Sequence, residues 1–244
     1  MKLVKSTVNL VLLGSFNPDS FLPKKLAEGK VITSKMANSA SLIALMPTQT
    51  VHFILEWAEI LVLQDRLQIT SLEAPHIRVC DFVLKVLQDL AINSTVSQFG
   101  INVVCHYDLE SVDARNNFGK RIAPPDVWGA WGQKISESMS NYEKGTYLQG
   151  GVINVKFRKP FNHDGINGWL DISVTPSPEV PNNTGVLLQS NHHHQVLSID
   201  PDADADKIVV SDTEQTSTLL KSLSDNYEKS IEDAFSIFKE ALSE

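Results

Sequence analysis

The nine residues VNLVLLGSF (Val8–Phe16), running straight into NPD (Asn17–Asp19), set the pattern of the chain. The first part is apolar and partly β-branched, which predicts a buried strand. The second offers Asn17 as a capping side chain, Pro18 with its preset φ, and Asp19 at the positive end of a helix. Pro23 is expected to break or shift that helix, leaving a short segment that ends by Gly29. Ala40–Met46, Val51–Trp57, Ala58–Gln64 and Leu67–Ser71 read as strands, the middle two readable as one bent strand, with a turn at Asp65-Arg66. Pro75 then opens a helix through about Ile92, whose Cys80, Val83, Leu84, Leu87, Leu90 and Ala91 share one face at the 3.6-residue period.

The same order begins again at GINVVCHYD (Gly100–Asp108), a strand. Asp113–Pro125 reads as a polar loop and Asp126–Ser140 as a helix weakened by Gly129 and Gly132. Thr146–Phe157, Trp169–Thr175 and Val186–Ser198 read as strands. Ser211-Asp-Thr-Glu214 is a capping box for a last helix, and Leu220, Leu223, Tyr227, Ile231, Phe235, Phe238 and Leu242 line its apolar face. Strands followed by long helices predict an α+β fold, with antiparallel sheets and helices packed on one face. The two strand-helix-meander-helix units are residues 1–98 and 99–244, a structural duplication without a residue-level repeat, forming one compact two-lobed domain. Whether the halves share a sheet is open at this level.

The chain of 244 residues is 42% hydrophobic and 20% charged, within the range of soluble globular proteins. Residues 1–199 hold 17 Lys/Arg and 17 Asp/Glu, whereas residues 200–244 hold 4 Lys and 12 acids, so the whole net charge of −8 sits in the last 45 residues. A neutral body with an acidic tail disfavours bulk nucleic acid, which calls for a basic stripe, and favours a basic partner surface. Cys80 and Cys105 fall on apolar elements with no CxxC spacing, which predicts reduced core thiols and a cytoplasmic protein. The apolar run near Met1 is shorter than a secretory signal requires, and no stretch reads as a membrane span.

Several stretches together resemble a sporadically distributed family of uncharacterised prokaryotic proteins of roughly this length. They are the opening strand into Phe16-Asn17-Pro18, DRLQITS (Asp65–Ser71), FGINVVCHYDL (Phe99–Leu109), GKRIAPPDVW (Gly119–Trp128), GWLDISVTPSP (Gly168–Pro178) and GVLLQSNHHHQV (Gly185–Val196). The resemblance spans nearly the whole chain and implies a shared fold. It implies no activity, because its marks are strand and turn signatures.

Four constellations carry candidate chemistry. On a strand, His192 and His194 point to one face and His193 to the other. The pair could share a metal such as zinc, with His106, His163 or Asp108 completing the set. The plainer reading is a polar sheet face with one buried, hydrogen-bonded His193. The second, Asp200–Asp206, alternates aspartates but places Ala205 and Ser211 where a calcium loop needs Gly and Glu, so it reads as a solvated acidic linker. The third sets Arg115, Lys120 and Arg121 beside Trp128 and Trp131, a combination suited to an anion or a protein partner. The plainer reading has the tryptophans pinning a helix to the sheet. The fourth is the last helix, whose outward acids Asp225, Glu228, Glu232 and Glu240 form a negative face. No nucleophile elbow, phosphate loop or dinucleotide fingerprint occurs, and Cys105 and His106, adjacent on a strand, face opposite ways.

The reading that follows is a cytoplasmic, non-enzymatic protein-binding or assembly subunit without a cofactor, whose partner is another protein or copies of itself. Its contacts would use Arg115, Lys120, Arg121, Trp128 and Trp131 and the acidic C-terminal helix. One alternative is a metal-dependent hydrolase or nuclease built on His192 and His194. Another is a small-molecule sensor with a cavity between sheet and helices, lined by the apolar, Trp-bearing segments.

Overall fold

A computed structural model describes residues 1–46, 48–140, 151–163, 166–196 and 211–243, with Ser140 and His163 described by backbone alone. The fold is α+β: nine antiparallel strands form one open sheet, and six helices accompany it among the described residues. The halves therefore share a single sheet, which resolves the point left open by the sequence.

The strands are β1 (Lys2–Ser15), β2 (Ser41–Met46), β3 (Thr50–Ile54), β4 (Ala58–Leu63), β5 (Arg66–Ser71), β6 (Thr95–Asp108), β7 (Val155–His163), β8 (Ile166–Pro176) and β9 (Gly185–Val196). Their order is β2-β3-β4-β5-β1-β6-β9-β8-β7. The two long strands β1 and β6 meet at the centre, and each is followed outward by the last strand of its own meander. Gly14, where the β1–β6 register shifts, permits a close approach: a Cβ there would lie 1.8 Å from the Thr95 carbonyl oxygen.

Period-two alternation divides the sheet into two faces. Val8, Leu10 and Leu12 of β1, Ile60 and Val62 of β4, Leu67 and Ile69 of β5, and Phe99, Ile101, Val103 and Cys105 of β6 are all buried on one of them. Asn9, Val11, Gln68, Thr70, Asn102 and Val104 occupy the other face and stay half-exposed.

The helices are α1 (Pro23–Glu28), α2 (Ser34–Asn38), α3 (Ile77–Asp89), α4 (Val112–Ile122), α5 (Gly129–Ser140) and α6 (Asp212–Leu242). Asn17 caps a 3₁₀ turn, Pro18–Phe21, by accepting from the Asp19 amide. The expected break is present: the 3₁₀ turn stops at Phe21, and Pro23 opens a separate short helix, α1, capped by Gly29, because the first turn needs no amide donor. The predicted loop Asp113–Pro125 is corrected to α4. Its Asn116, Asn117 and Gly119 are poor helix formers, but Ser111 accepts from the Ala114 amide, Asp113 sits in the first turn, and Lys120 and Arg121 sit in the last. Capping and charge placement outweigh propensity here. The strand expected at Thr146–Phe157 lies further along, as β7, with Pro160 tolerated on a sheet edge. Residues 146–150 fall outside the described residues, as does the acidic run Asp200–Asp206.

Helix α6 begins as its sequence predicts, with Ser211 accepting from the Glu214 amide. Leu219, Leu223, Tyr227, Ile231, Ala234, Phe238 and Leu242 are buried, while Leu220 and Phe235 lie half-buried beside them. Three side-chain bonds hold it. Thr216 Oγ1 accepts from the Val96 amide at 2.9 Å, Tyr227 donates its hydroxyl to the His76 carbonyl at 3.1 Å, and Arg121 donates to the Ala241 carbonyl at 2.8 Å. No described helix is long and apolar enough to cross a membrane.

Candidate functional site

The histidine run lies on β9, where strand alternation places His192 and His194 on the core face and His193 on the other. Register sets His192 beside Ile101 and Leu170, and His194 beside Phe99 and Gly168. His192 and His194 are 7% and 6% exposed, so they are the buried pair and His193 is not. The plainer sequence reading had this inverted. The pair faces inward because Val186 and Leu188, earlier on the same strand and face, are buried in the core.

Above these imidazoles the sheet and α6 part company. The apolar stripe of α6 turns towards β6 and α3. What it presents over β8 and β9 is Thr218, Ser222, Asn226 and Ser230 at four-residue spacing, flanked by Lys221, Asp225, Lys229 and Asp233. Residues four apart share a helix face, so these form two parallel stripes, one of hydroxyls and an amide, one of alternating charge. The result is a cleft of about 620 Å³. Its floor is His192, His194, Leu170, Ile166 and Phe161, with Lys159 at the rim.

The floor is shaped by aromatic packing. The His194 ring stacks on Phe99 at 4.4 Å and 11°, and Phe161 leans against its other side at 5.1 Å. Gly168 makes this possible, because a Cβ there would come within 2.4 Å of the Phe161 ring. His192 Nδ1, His194 Nε2 and the Ser190 hydroxyl on the same face are buried yet find no hydrogen-bond partner among the described residues. Burial pushes the His194 pKa down to about 4, helped by the neighbouring His192 and His193. Burial likewise lowers that of His192, with Asp233 opposing. Both rings are neutral at pH 7, so each unpartnered nitrogen donates or accepts according to tautomer.

The sequence-derived metal set is not brought together. His106 and Asp108 lie on the opposite face of β6 from the histidine pair. The side chain of His163 lies outside the described residues. Among the described residues no group of three His, Cys, Asp or Glu could hold a metal ion.

The basic loop and its tryptophans are divided. Arg115 is 7% exposed and donates to Asn116 Oδ1 at 3.3 Å, while Asn116 ties α4 to the Met139 carbonyl of α5. Arg121 is exposed but serves as a C-terminal cap for α6, and Lys120 is half-buried. Trp128 and Trp131 are 62% and 60% exposed and meet edge to face at 5.8 Å. They pack on each other and do not pin α5 to the sheet.

Two arrangements escaped the sequence. On the open face Arg158 forks onto Asp171 at 2.6 and 2.7 Å, Lys156 adds a third contact at 2.8 Å, and Arg158 also covers Trp169, which stacks on His193 at 4.0 Å. Hydrogen bonding from Arg158 holds the Asp171 carboxyl down at about 2. Separately, His106 Nδ1 meets Ser177 Oγ at 2.8 Å, both buried. Ser177 Oγ also accepts the Glu179 amide, and among the described residues no carboxylate bonds the ring. It ties the connection after β8 to β6, without the third member of a nucleophilic triad. Period two could have signalled the first arrangement, since Arg158 and Asp171 sit directly opposite in register, but only once β7 was placed.

The two thiols are inert. Burial drives the Cys80 pKa up to about 12, with Asp81 and Glu228 adding to it, and that of Cys105 up to about 11. The chain matches no protein-family model and no curated protein, so function is argued from the site alone.

Proposed function

We propose that this chain binds a small organic molecule in the cleft between the β7–β9 strands and α6. The observation that carries the reading is a pair of nine-tenths-buried, neutral imidazoles on the floor of a cleft whose opposite wall is the hydroxyl and amide stripe of α6. The volume falls in the range of small-molecule sites, and so does the lining, apolar with a few convergent polar groups.

The lining also indicates the ligand's chemistry. Phe161, Leu170 and Ile166 favour a flat apolar face. His192 and His194 favour an edge with both donors and acceptors. The Thr218–Ser230 stripe favours hydroxyls. The rim mixes three lysines with two aspartates, which gives no strong preference for an anion or a cation. A nucleoside meets each of these conditions. This is the sensor alternative from the sequence, with the histidine strand as lining in place of the tryptophans.

The test is thermal unfolding of the full chain with millimolar adenosine, guanosine, cytidine or uridine. A rise in melting temperature with at least one of them, lost in Ser222→Trp, is the expected result. Ser222 lines the cleft, so a tryptophan there would fill it. No shift with any of the four would sink the nucleoside reading. A shift that survives in Ser222→Trp would place the binding elsewhere.

A further inference from the structure

The two edges of the sheet have opposite chemistries. Strand β7 ends one side and carries Lys156, Arg158 and Lys159, with Pro160 after them. Charges and a missing amide donor are the usual means by which an edge strand avoids pairing with another chain. Strand β2 ends the other side and reads Ser41-Leu-Ile-Ala-Leu-Met46, with no charge at any position. Leu42, Ile43, Leu45 and Met46 are each about half exposed, between 49% and 56%. A bulge interrupts the ladder to β3 at Ile43, after which Ala44, Leu45 and Met46 run in regular register with His52, Val51 and Thr50.

We infer that β2 is the interface between two copies of this chain, pairing antiparallel with its own symmetry mate so that two nine-stranded sheets continue as one. Three observations select a second copy as the occupant. A strand paired with itself across a two-fold axis brings any charge near its own duplicate, and β2 has none to repel. Two-fold edge pairing is necessarily antiparallel, as is every pairing already in the sheet. The competing head-to-tail arrangement, β2 of one copy on β7 of the next, would grow a filament. It meets Lys156, Arg158, Lys159 and Pro160, so association closes at two. A six-residue strand pair buries less than a standard interface, which sets the expected affinity in the micromolar range. The inference is independent of any ligand in the cleft.

Sedimentation equilibrium of the full chain across about 2 to 200 µM covers that range. The expected result is a mass rising from one chain to two with concentration. Leu45→Lys and Ile43→Lys, both at exposed positions, should each weaken the dimer tenfold or more while leaving melting temperature and circular dichroism unchanged. Hydrogen exchange gives a second measure on the unmodified protein: amides of Leu42–Met46 should slow as the dimer forms. A single-chain mass at the highest concentration would overturn the inference. So would a dimer that persists in both lysine variants with unprotected β2 amides, or masses that continue beyond two.

Discussion

Lowering the pH from 7 to 4 should destabilise the protein by about 3 kcal/mol through His194 alone. The ring's pKa is about 4 in the fold against an ordinary 6.5. In the unfolded chain it takes up a proton as pH falls through 6.5, whereas in the fold it does so only near 4. Between those values the unfolded state binds more protons, so stability is complete above about 6.5, declines through the window and levels off below about 4. A difference of about 2.5 pH units at 1.36 kcal/mol per unit gives the magnitude. The assay is urea unfolding at half-unit steps from pH 7.5 to 4, for the wild type and for His194→Gln. Glutamine does not titrate, so its curve should be flatter by about 3 kcal/mol across the window, whatever its stability at pH 7. Curves that run parallel to within about 0.5 kcal/mol would refute the claim that His194 is held neutral by burial.

Replacing Asp171 with Asn should destabilise by about 2 kcal/mol at pH 7, since a carboxyl held near 2 loses its advantage only as pH falls from 3.8 to 2; denaturant unfolding at pH 7 and pH 2 would show the difference vanishing at the lower value. Phe238→Ala should remove about 3–5 kcal/mol because the ring is fully buried, whereas Trp131→Ala at an exposed position should stay within about 0.5 kcal/mol; chemical denaturation separates them. Cys80 and Cys105 should resist an alkylating thiol reagent at pH 7.5 in the native protein and react at once in urea, as mass spectrometry would show.

The strands and the last helix were legible because their residues repeat at the period of their backbone. Val8, Leu10 and Leu12 alternate, and Leu223, Tyr227, Ile231 and Phe238 recur at four or seven. The alternation of His192, His193 and His194 was legible for the same reason. Helix α4 was not, because its signals lie in Ser111, Asp113, Lys120 and Arg121 at its ends while Asn116, Asn117 and Gly119 dominate its middle. Nor was the depth at which the imidazoles sit, since burial depends on the strands beside β9. The cleft was the least legible feature. Thr218, Ser222, Asn226 and Ser230 are visible as a polar stripe in the sequence, but a polar stripe ordinarily faces water. Only the position of β8 and β9 beneath α6 makes it the wall of a cavity. Trp128 and Trp131 misled in the other direction, because an i, i+3 aromatic pair usually faces a core, whereas these two shelter against each other at the surface.

The three side-chain bonds along α6 bear on how anything could enter beneath it. Thr216 ties the first turns of the helix to β6, Tyr227 ties its middle to the start of α3, and Arg121 holds its final turn. A helix fastened at its beginning, middle and end is braced at three points against swinging as a jaw. The space it spans is thereby framed before any guest arrives, so occupancy should cost little ordering of the helix. Its selectivity would then be that of a fixed mould, discriminating by shape and hydrogen-bond placement, with arrival and departure governed by passage past the lysine and aspartate rim.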